Sequence, residues 1–238
     1  MLPMQRVDAP EILDSDACSP REAQAVLTVL GRINRWFGGI ATTEKLVGRV
    51  ARTGGVRQLS LLEVAAGSGE VPEIVRRRLA VRGILLDVTL LDMAHSHLSG
   101  DDCGMPRQEK NHRVAGDALN VPFKDNAFDV VSCSLFAHHL DPQQLHRFVW
   151  EALRVSRRAV LINDLVRGRL HLAAAFAGFP IMWNRVAWLD GLTSVRRAYV
   201  PEEIKTILTS DGLELPVRLE IFRHYLCRMG IIVWKPTN

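Results

Sequence analysis

Long apolar runs are missing from this chain of 238 residues. A membrane-spanning helix needs about 20 consecutive apolar residues, and no stretch approaches that length. The opening residues, M-L-P-M-Q-R-V-D-A-P-E, carry acid and proline and lack an apolar signal core, so a cytoplasmic protein is expected. Cysteine is scarce: Cys18, Cys103, Cys133 and Cys227 lie far apart with no C-x-x-C pair. That argues against zinc and against a disulfide framework. Clustered positive charge is missing too. The net charge is +4, but the arginines are spread out and the only triple is Arg76-Arg77-Arg78. On an expected helix it reads as a solvated face rather than a nucleic-acid patch, so no nucleic-acid partner is expected. There is no internal repeat and no low-complexity tract. Hydrophobic residues at 47% and charged residues at 24% are those of an ordinary globular chain. Its length suits one α/β domain with a good core, or such a domain with a cap.

The stretch from Leu59 to Arg82 is the most informative. A short apolar run, Leu59 to Val64, carries one carboxylate at Glu63 and leads into Ala65-Ala66-Gly67-Ser68-Gly69. Pro72 and the helical pattern of Ile74, Val75 and Leu79 follow, closed by Gly83. This predicts buried strand, tight turn and helix. Small residues let the backbone turn sharply and let a ligand approach its amides. The helix start adds unpaired N–H groups and the positive end of a dipole. A dinucleotide fold would need a third glycine where this chain has Pro72. A glycine-rich turn with no ligand is the rival reading.

Further along, Ile84 to Leu91 predicts a second parallel strand, ending at Asp92, 23 positions after Gly69. A carboxylate there can accept both hydroxyls of a ribose. Met93 and Ala94 follow. Asn111 to Ala115 predicts a third strand, with Asp117 placed to meet an adenine amino group or simply to make a turn. Phe128 to Cys133 and Ala159 to Ile162 predict strands four and five. Between them lie Ser134, Leu135, His138, His139 and a helix beginning at Pro142. Before the first strand, residues 1–20 read as a loose arm. Ser19 is the expected cap of a first helix, and a second is expected from about Thr42 to Arg52. Trp36 and Phe37 read as core packing or as part of a lid, with packing preferred. Residues 166–200 interrupt the rhythm, with an Ala-rich helix and a turn at Asp190-Gly191. Another helix is expected at Glu202–Ser210. Leu215–Phe222 and Arg228–Trp234 predict a closing antiparallel pair.

The motifs E-V-A-A-G-S-G, L-L-D-M, A-G-D-A-L-N-V-P-F and F-D-V-V-S-C-S-L-F-A-H-H-L, in that order, resemble class I S-adenosylmethionine (SAM) methyltransferases. The likeness covers about residues 59–165. Ala65 stands where the motif has its first glycine. P-F-K-D-N-A-F-D-V-V is similar to the small-molecule, ubiquinone/menaquinone-type (methyltransferase type 11-like) branch. The N-R-W-F-G-G and D-G-L-T-S-V-R-R-A-Y segments resemble bacterial enzymes that methylate hydroxylated aromatic or polyketide products.

The resemblance implies a Rossmann-like α/β fold with a seven-stranded sheet in the order 3-2-1-4-5-7-6. Strand 7 would be antiparallel, helices would cover both faces, and a small helical cap would be added. The domains would be an N-terminal helical arm or lid at 1–57 and a methyltransferase domain at 58–238, its cap inserted at about 166–200. SAM would be the cofactor and S-adenosyl-L-homocysteine the product. Glu63, Ala65, Gly67 and Gly69 would line the methionine and ribose side. Asp92 and Met93 would meet ribose and adenine, Asp117 and Ala118 the adenine, and Ser134 and Leu135 the sulfonium and carboxylate. The expected activity is O-methylation of a hydroxylated aromatic, quinol or polyketide-derived small molecule, by a monomer or homodimer. His138 or His139 would be the general base, with His138 preferred. Asp164, His171, Arg197 and Tyr199 would meet the acceptor. No acid–histidine cluster spells out a metal site, so none is expected. C-methylation of a quinol ring, or a SAM-binding partner protein without turnover, are the alternatives.

Overall fold

A computed structural model describes residues 4–12, 20–93, 112–178, 184–209, 218–224 and 227–236. The expected cap Ser19, Ala94, the start of the expected third strand at Asn111, and Leu215 lie outside them. Seven strands form one sheet: β1 (Gln58–Val64), β2 (Leu85–Asp92), β3 (His112–Ala115), β4 (Phe128–Ser134), β5 (Ser156–Leu165), β6 (Arg218–His224) and β7 (Arg228–Trp234). Their order is β3-β2-β1-β4-β5-β7-β6. β1 to β5 pair in parallel, while β7 runs antiparallel to both β5 and β6. This is the expected order and the expected antiparallel strand.

The central strands are near-continuous apolar runs because helices cover both faces. Side chains alternate between the two. Leu59 and Leu61 of β1 and Leu161 of β5 face the helices α2 (Gly39–Thr53) and α3 (Glu70–Ala80), with Val47, Val50, Val75 and Leu79. Leu62 and Val64, with Val160 and Ile162, face α4 (Pro142–Val155), through Leu145, Phe148 and Val149. α4 starts where its sequence says it should. Asp141 accepts from the Gln144 amide at 2.8 Å, the Gln144 side chain answers the Asp141 amide at 3.0 Å, and Pro142 opens the first turn.

The helix α1 (Pro20–Trp36) ends at Gly38, whose left-handed φ of 79° turns the chain directly into α2. α2 therefore begins at Gly39, before the expected Thr42. A buried polar net fastens this junction over the β5 end. Asn163 donates to the Gly39 carbonyl and to Thr43 Oγ1, both at 2.8 Å, and accepts from Arg228 at 2.9 Å.

The remaining helices are α5 (Arg169–Ala177), α6 (Arg185–Arg197) and α7 (Pro201–Thr209). Three expectations change here. Asp190 and Gly191 lie inside α6 rather than in a turn, because Asp190 has a distant partner: its buried carboxylate accepts the Ile12 amide at 2.7 Å. Trp36 and Phe37 are exposed, not packed. The buried stripe of α1 is Val26 and Val29, set against Ala187 of α6, and the chain turns away after Trp36. Residues 4–12 are not loose. Arg6 donates to the carbonyls of Arg197 (2.8 Å), His138 (3.1 Å) and Leu140 (2.9 Å) and lies over the Tyr199 ring. α5 has no buried residue and sets Phe176 against Trp188. Among the described residues, no helix is long and apolar enough to cross a membrane.

Phe148 is fully buried between α4 and the sheet. Phe148→Ala should cost about 3–5 kcal/mol of stability in urea melts. A loss below about 1 kcal/mol would show that this face of the sheet is not tightly packed.

Candidate active site

The parallel strands end along one edge, and the functional residues collect there. Three backbone positions after β1 take left-handed φ: Ala65 at 52°, Gly67 at 53° and Gly69 at 73°. Gly69 also caps α3, and a Cβ there would meet Leu90 Cδ1 at 2.4 Å. A larger residue at 69 would be both strained and obstructed. The turn is anchored across the sheet: the Gly67 amide donates to Asp92 Oδ2 at 2.8 Å. Asp92 ends β2 and is buried, and Met93 beside it is 78% exposed. The Gly116 amide reaches the Asp92 carbonyl at 3.0 Å, which brings the next loop alongside. There Ala118 is buried, while Asp117 makes a local turn by accepting the Leu119 amide at 2.8 Å. That bond is the turn role weighed for it in the sequence. A carboxylate has further lone pairs, so both aspartates keep acceptor capacity.

Glu63 sits at the β1 end, 1% exposed, and accepts from the Ser132 hydroxyl. Burial dominates its titration. It raises the pKa to about 7 although the hydroxyls of Ser132 and Ser134 oppose the shift. Ser134 ends β4 with its hydroxyl 3.4 Å from Thr43 Oγ1. Leu135, at φ 56°, follows and donates its amide to the Asn163 carbonyl at 2.9 Å.

The next turn, Ala137–His139, delivers the histidine pair. His138 is buried against Asp164 at the end of β5. Its ring Nδ1 lies 2.7 Å from Asp164 Oδ1, and its amide donates to Oδ2 at 2.9 Å. Its Nε2 points to Glu11 Oε1 at 3.4 Å, and His139 Nε2 lies 3.7 Å from Glu11 Oε2. Burial alone would lower the His138 pKa. The charge and hydrogen bond of Asp164, with those of Glu11, outweigh it and raise the pKa to about 9. Burial likewise pushes the Asp164 and Glu11 carboxyls up, but the facing histidine charge brings both below the usual range.

The other residues expected at the acceptor each bond the protein. Arg197 donates to the His139 carbonyl at 2.8 Å, and the buried Tyr199 hydroxyl to the Leu140 carbonyl at 2.7 Å. Both shape the histidine turn rather than face open space, and Asp164 orients His138. These three hold the histidine turn in place. His171, on α5, bonds the Val166 carbonyl at 2.9 Å. A cavity of about 380 Å³ opens between α5 and α6, lined by Leu172, Ala173, Phe176 and Leu192 with Arg169 and Arg196. Sequence reasoning missed Glu11 and Arg6, since nothing local marks one acid or one arginine in a stretch that reads as a loose arm.

A methyltransferase domain family matches residues 62–162. The chain carries a class I SAM-dependent methyltransferase domain. The demethylmenaquinone methyltransferase of Thermotoga maritima is 23% identical over 188 residues, 73% of this chain and 78% of that protein. Among solved structures, the plantazolicin methyltransferase BpumL with S-adenosylhomocysteine aligns with a TM-score of 0.67 at 14% identity, over 94% of this chain and 93% of that one. Human N-acetylserotonin methyltransferase with SAM aligns with a TM-score of 0.62 at 12% identity, over 91% of this chain and 57% of that one. At such identities the structural likeness is one of fold. The cofactor is S-adenosyl-L-methionine, and the turn fits it: a left-handed backbone at three positions, an edge that admits no Cβ at Gly69, and acids at the ends of β1 and β2.

The raised Glu63 pKa makes a stability prediction. The folded state binds this proton more tightly than the unfolded chain does. Stability is therefore greatest below the ordinary value of 4.5 and falls as pH rises through about 7. Glu63→Gln removes the charge, so at pH 8 it should be more stable than wild type by up to about 3 kcal/mol. The gap should close at pH 4. Denaturation curves that stay parallel across this range would contradict the shift.

Proposed function

We propose that this protein methylates an oxygen of a hydroxylated aromatic, quinol or polyketide-derived small molecule. The observation that carries the reading is the histidine pair, set beside Asp164 and Glu11 at the carboxyl edge of β4 and next to the cofactor turn. SAM supplies an electrophilic methyl group on a sulfonium. In-line transfer needs the acceptor oxygen aligned and desolvated, and positioning of that kind can contribute on the order of 7–11 kcal/mol. A phenol, with an unperturbed pKa near ~10, also gains from losing its proton.

On the cofactor side, Asp92 accepts from the ribose hydroxyls while holding Gly67. Glu63, Ala65, Gly67 and Gly69 line the methionine and ribose. Met93, Asp117 and Ala118 take the adenine, and Ser134 and Leu135 lie toward the reacting centre. On the acceptor side the preferred base moves from His138 to His139. His138 already holds a proton at neutral pH, with one ring nitrogen on Asp164 and the other toward Glu11. His139 is 22% exposed and stands beside it, the two ring centroids 4.4 Å apart. The Thermotoga relative's name carries a quinone, which keeps methylation of a quinol ring carbon as a second reading.

A panel of phenols and quinols with SAM, read by product mass fragmentation, separates O- from C-methyl products. With a turned-over acceptor, His139→Ala should lower kcat about 100-fold or more, the range of general-base catalysis, with little change in SAM affinity. Full turnover in that variant across pH 6–9 would mean that His139 is not the base.

A further inference from the structure

We infer that Glu11, His138 and His139 form a binding site for a divalent transition-metal ion of the zinc class. No local motif announces it, because the fold brings Glu11 of the N-terminal arm onto a pair far along the chain. One ligand atom from each residue falls in a single cluster, all within 4.8 Å of one another. Glu11 and His138 are more than nine-tenths buried.

The spacing also suits a shared ion, although without one His138 hydrogen-bonds Glu11 directly. Two ligands about 2.1 Å from a tetrahedral zinc ion stand about 3.4 Å apart. His138 Nε2 is 3.4 Å from Glu11 Oε1, and His139 Nε2 is 3.7 Å from Glu11 Oε2. Both separations exceed the roughly 2.7–3.2 Å of a good nitrogen–oxygen hydrogen bond. The outer partner is also present. His138 turns its Nδ1 to Asp164 at 2.7 Å, which directs Nε2 into the cluster. A carboxylate behind a ligating histidine is the usual support of such a site. Ser194 donates to Glu11 Oε1 at 2.7 Å and steadies the third ligand. Two imidazoles and one carboxylate suit zinc, iron or cobalt, whereas magnesium and calcium prefer oxygen alone.

Three protein ligands leave a fourth position for water or an acceptor oxygen. The catalytic meaning rests on the proposed O-methylation. An ion there would lower the acceptor hydroxyl's pKa and take over from His139 as the activating group. Binding of the ion does not depend on that reading.

The test is calorimetric titration of zinc chloride into tag-free, chelator-treated protein at pH 7, without acceptor. One saturating equivalent is expected. Glu11→Gln and His139→Ala should each weaken it at least tenfold, and Asp164→Asn should weaken it by about 10- to 100-fold. Thermal melts identify any variant that does not fold. Cobalt(II) should give the visible bands of a four-coordinate ion in wild type and lose them in Glu11→Gln, a readout that a folding defect in His138 variants does not enter. No saturable binding, or equal zinc affinity and equal cobalt bands in wild type and Glu11→Gln, would overturn the site and leave His138 as a protonated bridge between two carboxylates. Failure of His139 as base, by contrast, shows only in turnover.

Discussion

The hydrogen bond from the Gly67 amide to Asp92 is the contact on which the cofactor side depends. It joins the turn after β1 to the end of the neighbouring strand. It thereby fixes the direction of the acid proposed to accept from a ribose. The left-handed positions around it make the bond possible. Ala65, Gly67 and Gly69 reverse the chain tightly enough to put amides at the sheet edge, and Leu90 packs where a side chain at 69 would stand. The turn is built from small residues because no other kind fits both the backbone and the space. Glu63 shows what this edge costs. A carboxyl held inside the sheet is disfavoured as an anion, and the protein keeps it at the expense of stability above neutral pH.

The acceptor side is organised by a second carboxylate. Asp164 accepts from the His138 ring, the His138 amide and the Leu165 amide. It can do so because β4 and β5 are neighbours in register, Ser134 opposite Asn163. The histidine turn is clamped from outside by Arg6, Arg197 and Tyr199, which bind its carbonyls. The arm thus closes over the pair, and its Glu11 completes the polar cluster. Arm, turn and α6 form one connected unit.

The strands and the turn after β1 were legible because their signals are local, whereas the strand order came from the family resemblance. A buried apolar run, a glycine turn and an acid at the next strand end all fall within a few dozen residues. The α4 cap was legible for the same reason, since Asp141, Pro142 and Gln144 are near neighbours. Other features were illegible because they join distant segments. Asp190-Gly191 has the look of a turn, but its carboxylate is taken by Ile12, 178 residues away, and the helix continues. Trp36 and Phe37 have packing side chains but fall past the buried stripe of α1. Glu11 carries no local mark of function. Arg197 and Tyr199 carry no local sign that they bond the carbonyls of the histidine turn, because tertiary packing decides where their polar atoms go.

The most direct test of the account is the calorimetric affinity for SAM of wild type and Asp92→Ala, each checked for folding by its melt. Micromolar binding, about −8 kcal/mol, in wild type and at least a tenfold loss in the variant is the predicted result. Equal affinity in both proteins would contradict it, because the anchored turn and the proposed ribose contact both run through that one carboxylate.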